Sequence, residues 1–134
     1  MDKVVIIPDS FKGTLSSKEV AALMGEAVGS VFPEADRMLL PIGDGGEGTV
    51  ESFLTSLGGE RVETTVCGPF FTPVSSFYGR LPDGTVVIEM AAAAGLPLVG
   101  NRREVEQTTT FGVGELMGKA LEEGAKHIIL GLGG

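Results

Sequence analysis

The chain has one cysteine, Cys67, and one histidine, His127, in 134 residues. A lone cysteine excludes an internal disulfide and any cysteine-built zinc cluster. A lone histidine excludes a multi-histidine metal site. With no nucleophile-elbow sequence either, a Ser–His–Asp arrangement has no support. Cations are scarce: 10 Lys and Arg against 18 Asp and Glu leave a formal net charge of −8. Phosphate backbones and anionic lipid surfaces are held by clustered Lys and Arg, so neither nucleic acid nor membrane is an expected partner. No run approaches the roughly 20 apolar residues that span a bilayer. The chain opens directly on a strand pattern, with no basic and apolar leader, so no secretory signal is expected and the cytoplasm is the expected compartment.

Glycine is what the chain has in plenty. There are 21, roughly twice the average usage of about 7%. They follow no collagen period, so they mark turns, helix ends and close backbone approaches. At 43% hydrophobic, the chain can bury a core.

The first half alternates strand, loop and helix. Val4-Val5-Ile6-Ile7 reads as a parallel strand buried on both faces. Ser16 and Glu19 form a capping-box pattern that opens a helix. Val20, Leu23, Met24, Ala27, Val28 and Val31 fall on one helical face, and Pro33 stops the helix. Met38-Leu39-Leu40 is a second short strand. A glycine-rich loop follows, and then a helix with Thr49 as its expected cap and Gly58-Gly59 at its end. Parallel βαβ units have this pattern.

After residue 60 the character changes. Glu60 to Val66, Ser75 to Leu81 and Thr85 to Met90 read as strands, the last two joined as a hairpin by Pro82-Asp83-Gly84. Ala91 to Ala94 predicts a helical turn, Glu115 to Glu123 a helix, and His127 to Leu130 a final strand. The expected division is residues 1–60 for the first α/β unit and 61–134 for the start of a second. The final strand runs into Gly131-Leu132-Gly133-Gly134 without the covering helix that a parallel strand normally feeds. The expectation is that these residues form the front part of a longer protein.

Three loops can carry chemistry. In Gly43-Asp44-Gly45-Gly46-Glu47-Gly48-Thr49, glycines permit close approach to a ligand, and amides at a helix start attract phosphate or carboxylate. Asp44 and Glu47 would repel such an anion unless they hold Mg²⁺ or one acts as a base on a hydroxyl. A plain glycine-rich turn is the other reading. Asp9-Ser10-Phe11-Lys12-Gly13 lies after the first strand, at the sheet edge where ligands of α/β proteins sit. There Lys12 can neutralise phosphoryl charge and Ser10 can donate to an oxygen. A solvated loop is the alternative. Thr108-Thr109-Thr110-Phe111-Gly112 offers hydroxyls and amides for an anion, or only a capped helix start. Gly118-Lys119 lacks P-loop spacing, and Gly118 reads as a close helix–sheet contact. Glu89 reads as a salt-bridged or edge-exposed carboxylate, and Arg102-Arg103 as a solvated pair, with contact to a substrate carboxylate as the other reading.

Pro8-Asp9-Ser10-Phe11-Lys12-Gly13-Thr14, Gly43 to Thr49, Glu89-Met90-Ala91-Ala92-Ala93-Ala94-Gly95-Leu96 and Thr109-Thr110-Phe111-Gly112-Val113-Gly114-Glu115 together resemble the bacterial glycerate kinase family, in the same order. Gly43 stands where alanine is usual before the DGGEGT string. The resemblance implies ATP-dependent phosphorylation of D-glycerate, usually to the 2-phosphate. It also implies a Rossmann- or flavodoxin-like parallel sheet with helices, plus a second, inserted α/β domain containing the hairpin. On this reading Lys12 and Asp44 are catalytic. Asp9, Ser10, Gly45, Gly46, Glu47, Gly48, Thr109, Thr110 and Gly112 bind substrate or phosphate, and Asp44 and Glu47 hold Mg²⁺. A non-catalytic anion- or nucleotide-binding module is the alternative, and a partly exposed, self-associating chain is a third.

Overall fold

The computed structural model describes residues 3–11, 13–102 and 104–133. Strand β1 (Lys3–Ile6) pairs in parallel with β2 (Asp36–Leu39), from Lys3 opposite Asp36 to Ile6 opposite Leu39. Helix α1 (Ser17–Val31) joins them, as the alternation of patterns predicts. Its capping box is complete. The Glu19 N–H donates to Ser16 Oγ at 3.3 Å, and the Ser16 N–H donates to Glu19 Oε2 at 2.8 Å. The helix ends at Phe32, just before Pro33.

Two packing expectations are corrected here. Ser17, Ala21 and Gly25, spaced by four, form the buried stripe of α1 together with Val20. Leu39 packs against Gly25 so closely that a Cβ there would lie 3.0 Å from its Cδ2. Small residues let the helix sit tightly on β2, which turns Leu23, Met24 and Val31 outward. Strand β1 is likewise not buried on both faces. Ile6 is buried but Val5 is exposed, because α1 covers one face of a two-stranded sheet and no other described element covers the second.

The second sheet has four strands in the order β3 (Glu60–Cys67), β4 (Pro73–Arg80), β5 (Thr85–Glu89) and β6 (His127–Gly131). The first three are antiparallel neighbours, and β6 lies parallel to β5. The predicted hairpin joins β4 to β5. Gly84 adopts φ +84°, and Asp83 Oδ1 accepts the Thr85 N–H at 2.9 Å. Between β5 and β6 run α3 (Ala91–Ala94), α4 (Leu96–Val99), a 3₁₀ turn (Val105–Gln107) and α5 (Phe111–Glu122).

Strand β5 is buried throughout because both faces are covered. Side chains alternate along a strand. Val86 and Ile88 therefore join Tyr78, Val113, Leu116 and Ala120 in the larger core beneath α5. Val87 faces the other way, against Val50 of α2 (Thr49–Leu57), with Leu81 beside it. Helix α2 precedes residue 60 in the chain, yet it packs on the second sheet. The same alternation aims Glu89 at the start of α2.

Helix α5 begins at Phe111, four residues earlier than its pattern predicts. Three of its residues, one turn apart, meet β3. A Cβ on Gly112 would run into the Cys67 carbonyl oxygen. Glu115 Oε2 accepts the Cys67 N–H at 2.6 Å. Lys119 Nζ donates to Thr64 Oγ1 at 2.6 Å and to the Thr65 carbonyl at 3.0 Å.

Candidate functional site

The glycine-rich loop between β2 and α2 is held in part by its own residues. Thr49, expected as the helix cap, is instead the first helical residue; its hydroxyl accepts the Gly45 N–H at 3.1 Å. Asp44 Oδ1 accepts the Gly46 N–H at 3.0 Å, and the Thr49 N–H reaches the Gly46 carbonyl at 3.2 Å. The cap position is Gly48, at φ +89° and with no side chain to offer.

The capping oxygen comes from far along the chain. Glu89 Oε2 accepts the Val50 N–H at 2.9 Å, and its Oε1 accepts the Gly48 N–H at 3.4 Å. Glu89 is only 2% exposed and forms no salt bridge among the described residues. The salt-bridged or edge-exposed reading of this residue is therefore corrected. Burial pushes its carboxyl above the usual carboxylate range, and the nearby Glu47 charge adds to this. The Val50 and Gly48 amides and Arg61 oppose the shift.

A cleft of about 390 Å³ opens at this helix start. It is lined by Glu47 and Gly48, by Arg61, Ser75 and Phe77, and by Glu89 of β5 and Ala92 of α3. The Arg61 guanidinium lies 3.4 Å from the centre of the Phe77 ring, and its Nε donates to Glu63 at 2.6 Å. Glu47 is exposed beside the cleft and Asp44 is exposed on the same loop. A second hollow of about 320 Å³ is lined by Ala94, Val99, Thr108, Thr109 and Thr110. Helices α3 and α4 contribute lining residues to both.

The remaining sequence candidates are scattered. Asp9 and Ser10 lie in the loop after β1, where Asp9 Oδ1 accepts the Ser10 N–H at 2.7 Å. Lys12 and Arg103 lie outside the described residues. Thr109 donates its N–H to the Pro69 carbonyl at 2.9 Å, and its hydroxyl accepts the Phe111 N–H at 3.1 Å. Arg102 bonds Glu104 at 3.0 Å and stacks on Phe70.

Among the described residues no group of three or more His, Cys, Asp or Glu side chains is arranged to hold a metal ion. Mg²⁺ does not need one. It is commonly held by one or two carboxylates and completes its shell with water and phosphate. The two exposed carboxylates of one loop, Asp44 and Glu47, fit that demand.

Sequence reasoning missed Glu89 as part of this loop, and missed Arg61 and Ser75 as cleft walls. One signal was present for Glu89: an acid at the end of an otherwise apolar strand, two residues from Val87, must share the face of Val87.

The model of the glycerate kinase family matches residues 4–134. The chain is 50% identical over 134 residues to the glycerate kinase of Bacillus subtilis (strain 168), covering 98% of this chain and 35% of that protein. It is 45% identical to the glycerate 2-kinase of Escherichia coli (strain K12), again covering 98% of this chain and 35% of the relative. A crystal structure of a candidate glycerate kinase 2 from Salmonella typhimurium LT2 superposes with a TM-score of 0.81 at 44% identity, over 99% of this chain and 36% of that one. The chain thus spans about a third of the length of the relatives it matches. No helix of the described residues is long and apolar enough to cross a membrane. With an α/β fold, the loop motifs in order and a match over residues 4–134, this chain belongs to the glycerate kinase family.

Proposed function

We propose that the protein carrying this chain transfers the γ-phosphoryl group of ATP to the 2-hydroxyl of D-glycerate, in the cytoplasm. The oxygen–phosphorus bond to the hydroxyl forms, the bond to the leaving ADP breaks, and the hydroxyl proton goes to a base. The observation that carries this is the loop of Asp44 to Gly48, which displays two exposed carboxylates, one of them, Glu47, lining a cleft, in a chain of this family. The 2-position follows the Escherichia coli relative, described as a glycerate 2-kinase.

Phosphoryl transfer needs alignment and charge neutralisation more than covalent chemistry. Asp44 is assigned the hydroxyl proton or the metal, and Glu47 supports it. Mg²⁺ held by these two would neutralise phosphate charge when bound. Lys12 is assigned to the transferring phosphoryl group, with Asp9 and Ser10 beside it. Thr109 and Thr110, which line the second hollow, are assigned to an anion together with Gly112 in the first turn of α5. The amides of Gly45, Gly46 and Gly48 already have acceptors within the protein. Their glycines therefore serve the loop's shape, and this weakens the alternative of a simple anion-binding module. The proposed domain division, 1–60 and 61–134, follows the two sheets, with α2 reaching across to the second.

Glycerate-dependent release of ADP from Mg-ATP by the product of the uninterrupted reading frame tests the reading. Asp44→Asn and Lys12→Ala should each lower kcat by about 10²-fold or more. Near-wild-type kinetics in either variant would exclude the role given to that residue.

A further inference from the structure

We propose that Glu89 is a positioning residue, which pins the glycine-rich loop to the end of β5 and so sets where Asp44 and Glu47 stand. For the kinase step this rests on the reading above; the pinning itself does not.

Helix α2 lacks a local cap. Gly48 has no side chain, and the carboxylate that serves the first amides comes from 39 and 41 residues away. A serine cap in the usual extended backbone would bond the Val50 amide without burying a charge, but Gly48, at φ +89°, is not in that conformation. Burying a carboxylate is costly unless it is well bonded, and Glu89 has no cation in salt-bridge reach among the described residues. Helix stability alone is thus a poor reason for this arrangement. What the long-range bond adds is register between a loop and a sheet.

The register is fixed at two points. At the rear, Glu89 holds Gly48 and Val50. At the front, the Gly133 N–H donates to the Gly45 carbonyl at 2.9 Å. Both anchors come from the same sheet end, where Glu89 of β5 stands opposite Gly131 of β6. Asp44 adjoins the front pin and Glu47 adjoins the rear one. Each carboxylate assigned to the reaction is therefore one residue from a held backbone position.

Glu89→Gln is isosteric but keeps only one acceptor oxygen, and its amide group faces a second N–H. Glu89→Ala removes both bonds. The test is residue-resolved amide hydrogen exchange and steady-state kinetics on the product of the uninterrupted reading frame. In Glu89→Gln the Gly48 or Val50 amide should exchange about tenfold faster, with β3 and β4 unchanged. Glu89→Ala should exceed it. In step with this, kcat should fall by about tenfold or more while KM for both substrates moves less than about threefold. A folded Glu89→Gln protein that exchanges like wild type at both amides overturns the proposal, whatever its kcat. So does faster exchange with unchanged kcat in an active enzyme. Glu89→Gln decides the matter even where Glu89→Ala does not fold. If wild type does not phosphorylate glycerate, the kinase reading fails, and the exchange result still decides whether Glu89 pins the loop.

Discussion

Gly133 and Gly45 lie back to back. The Gly133 N–H bonds the Gly45 carbonyl at 2.9 Å, and a Cβ on Gly133 would sit 2.6 Å from the Gly46 nitrogen. The two glycine-rich stretches, almost 90 residues apart in the chain, are thus one structural unit. Gly131 belongs to it, since a Cβ there would run into the Gly45 carbonyl oxygen.

Gly131→Ala should therefore push the loop of residues 43–48 away from β6. The expected cost is about 1–3 kcal/mol, the usual range for overpacking. Chemical denaturation measures it, and amide shifts in residues 43–48 should move with it. Unchanged stability and shifts would mean that the stretches are not in contact.

Two glycines of α5 should respond in opposite directions. Gly112→Ala meets the Cys67 carbonyl and should destabilise by about 1–3 kcal/mol. A Cβ at Gly118 meets nothing within 4 Å, so Gly118→Ala should stabilise by about 0.5–1 kcal/mol through helix propensity. The sequence reading of Gly118 as a close packing contact is corrected by that open space. Denaturation midpoints of both variants check the pair.

What was legible in the sequence was local. Ser16 and Glu19 lie three residues apart, and their capping box is present as expected. Asp83-Gly84 announced the hairpin because turn chemistry depends on adjacent residues. Glu89 was not legible as a cap because its partners are about 40 residues away, and Thr49 offered a nearer answer. The inward face of α1 failed for another reason. Helical spacing shows that Leu23, Met24 and Val31 share a side, but it does not show that a stripe of small residues beside them makes the closer contact. The four loop motifs were readable together; which glycine amides were already bonded was not.

Tyr78 provides a clean pH reporter, being the only tyrosine in a chain with no tryptophan. It is fully buried, and its hydroxyl donates to Glu123 Oε2 at 2.8 Å. Burial first, then that bond and the Glu123 charge, raise the phenol above its ordinary value of 10.0. The folded state therefore keeps the proton when the unfolded chain has lost it. This contribution to stability is complete below about pH 10 and is lost as pH rises through the folded value. An alkaline titration of phenolate absorbance should show a higher midpoint in the native protein than in denaturant. Equal midpoints would contradict the buried bond.

The central claim, phosphoryl transfer from ATP to glycerate, is met most directly by ³¹P NMR of Mg-ATP and D-glycerate with the product of the uninterrupted reading frame. The account predicts a new phosphomonoester signal split by the single proton on C2, absent without enzyme and strongly reduced in Asp44→Asn. A signal split by the two C3 protons would contradict the 2-hydroxyl assignment. No new phosphomonoester from the folded protein would contradict the glycerate kinase reading itself.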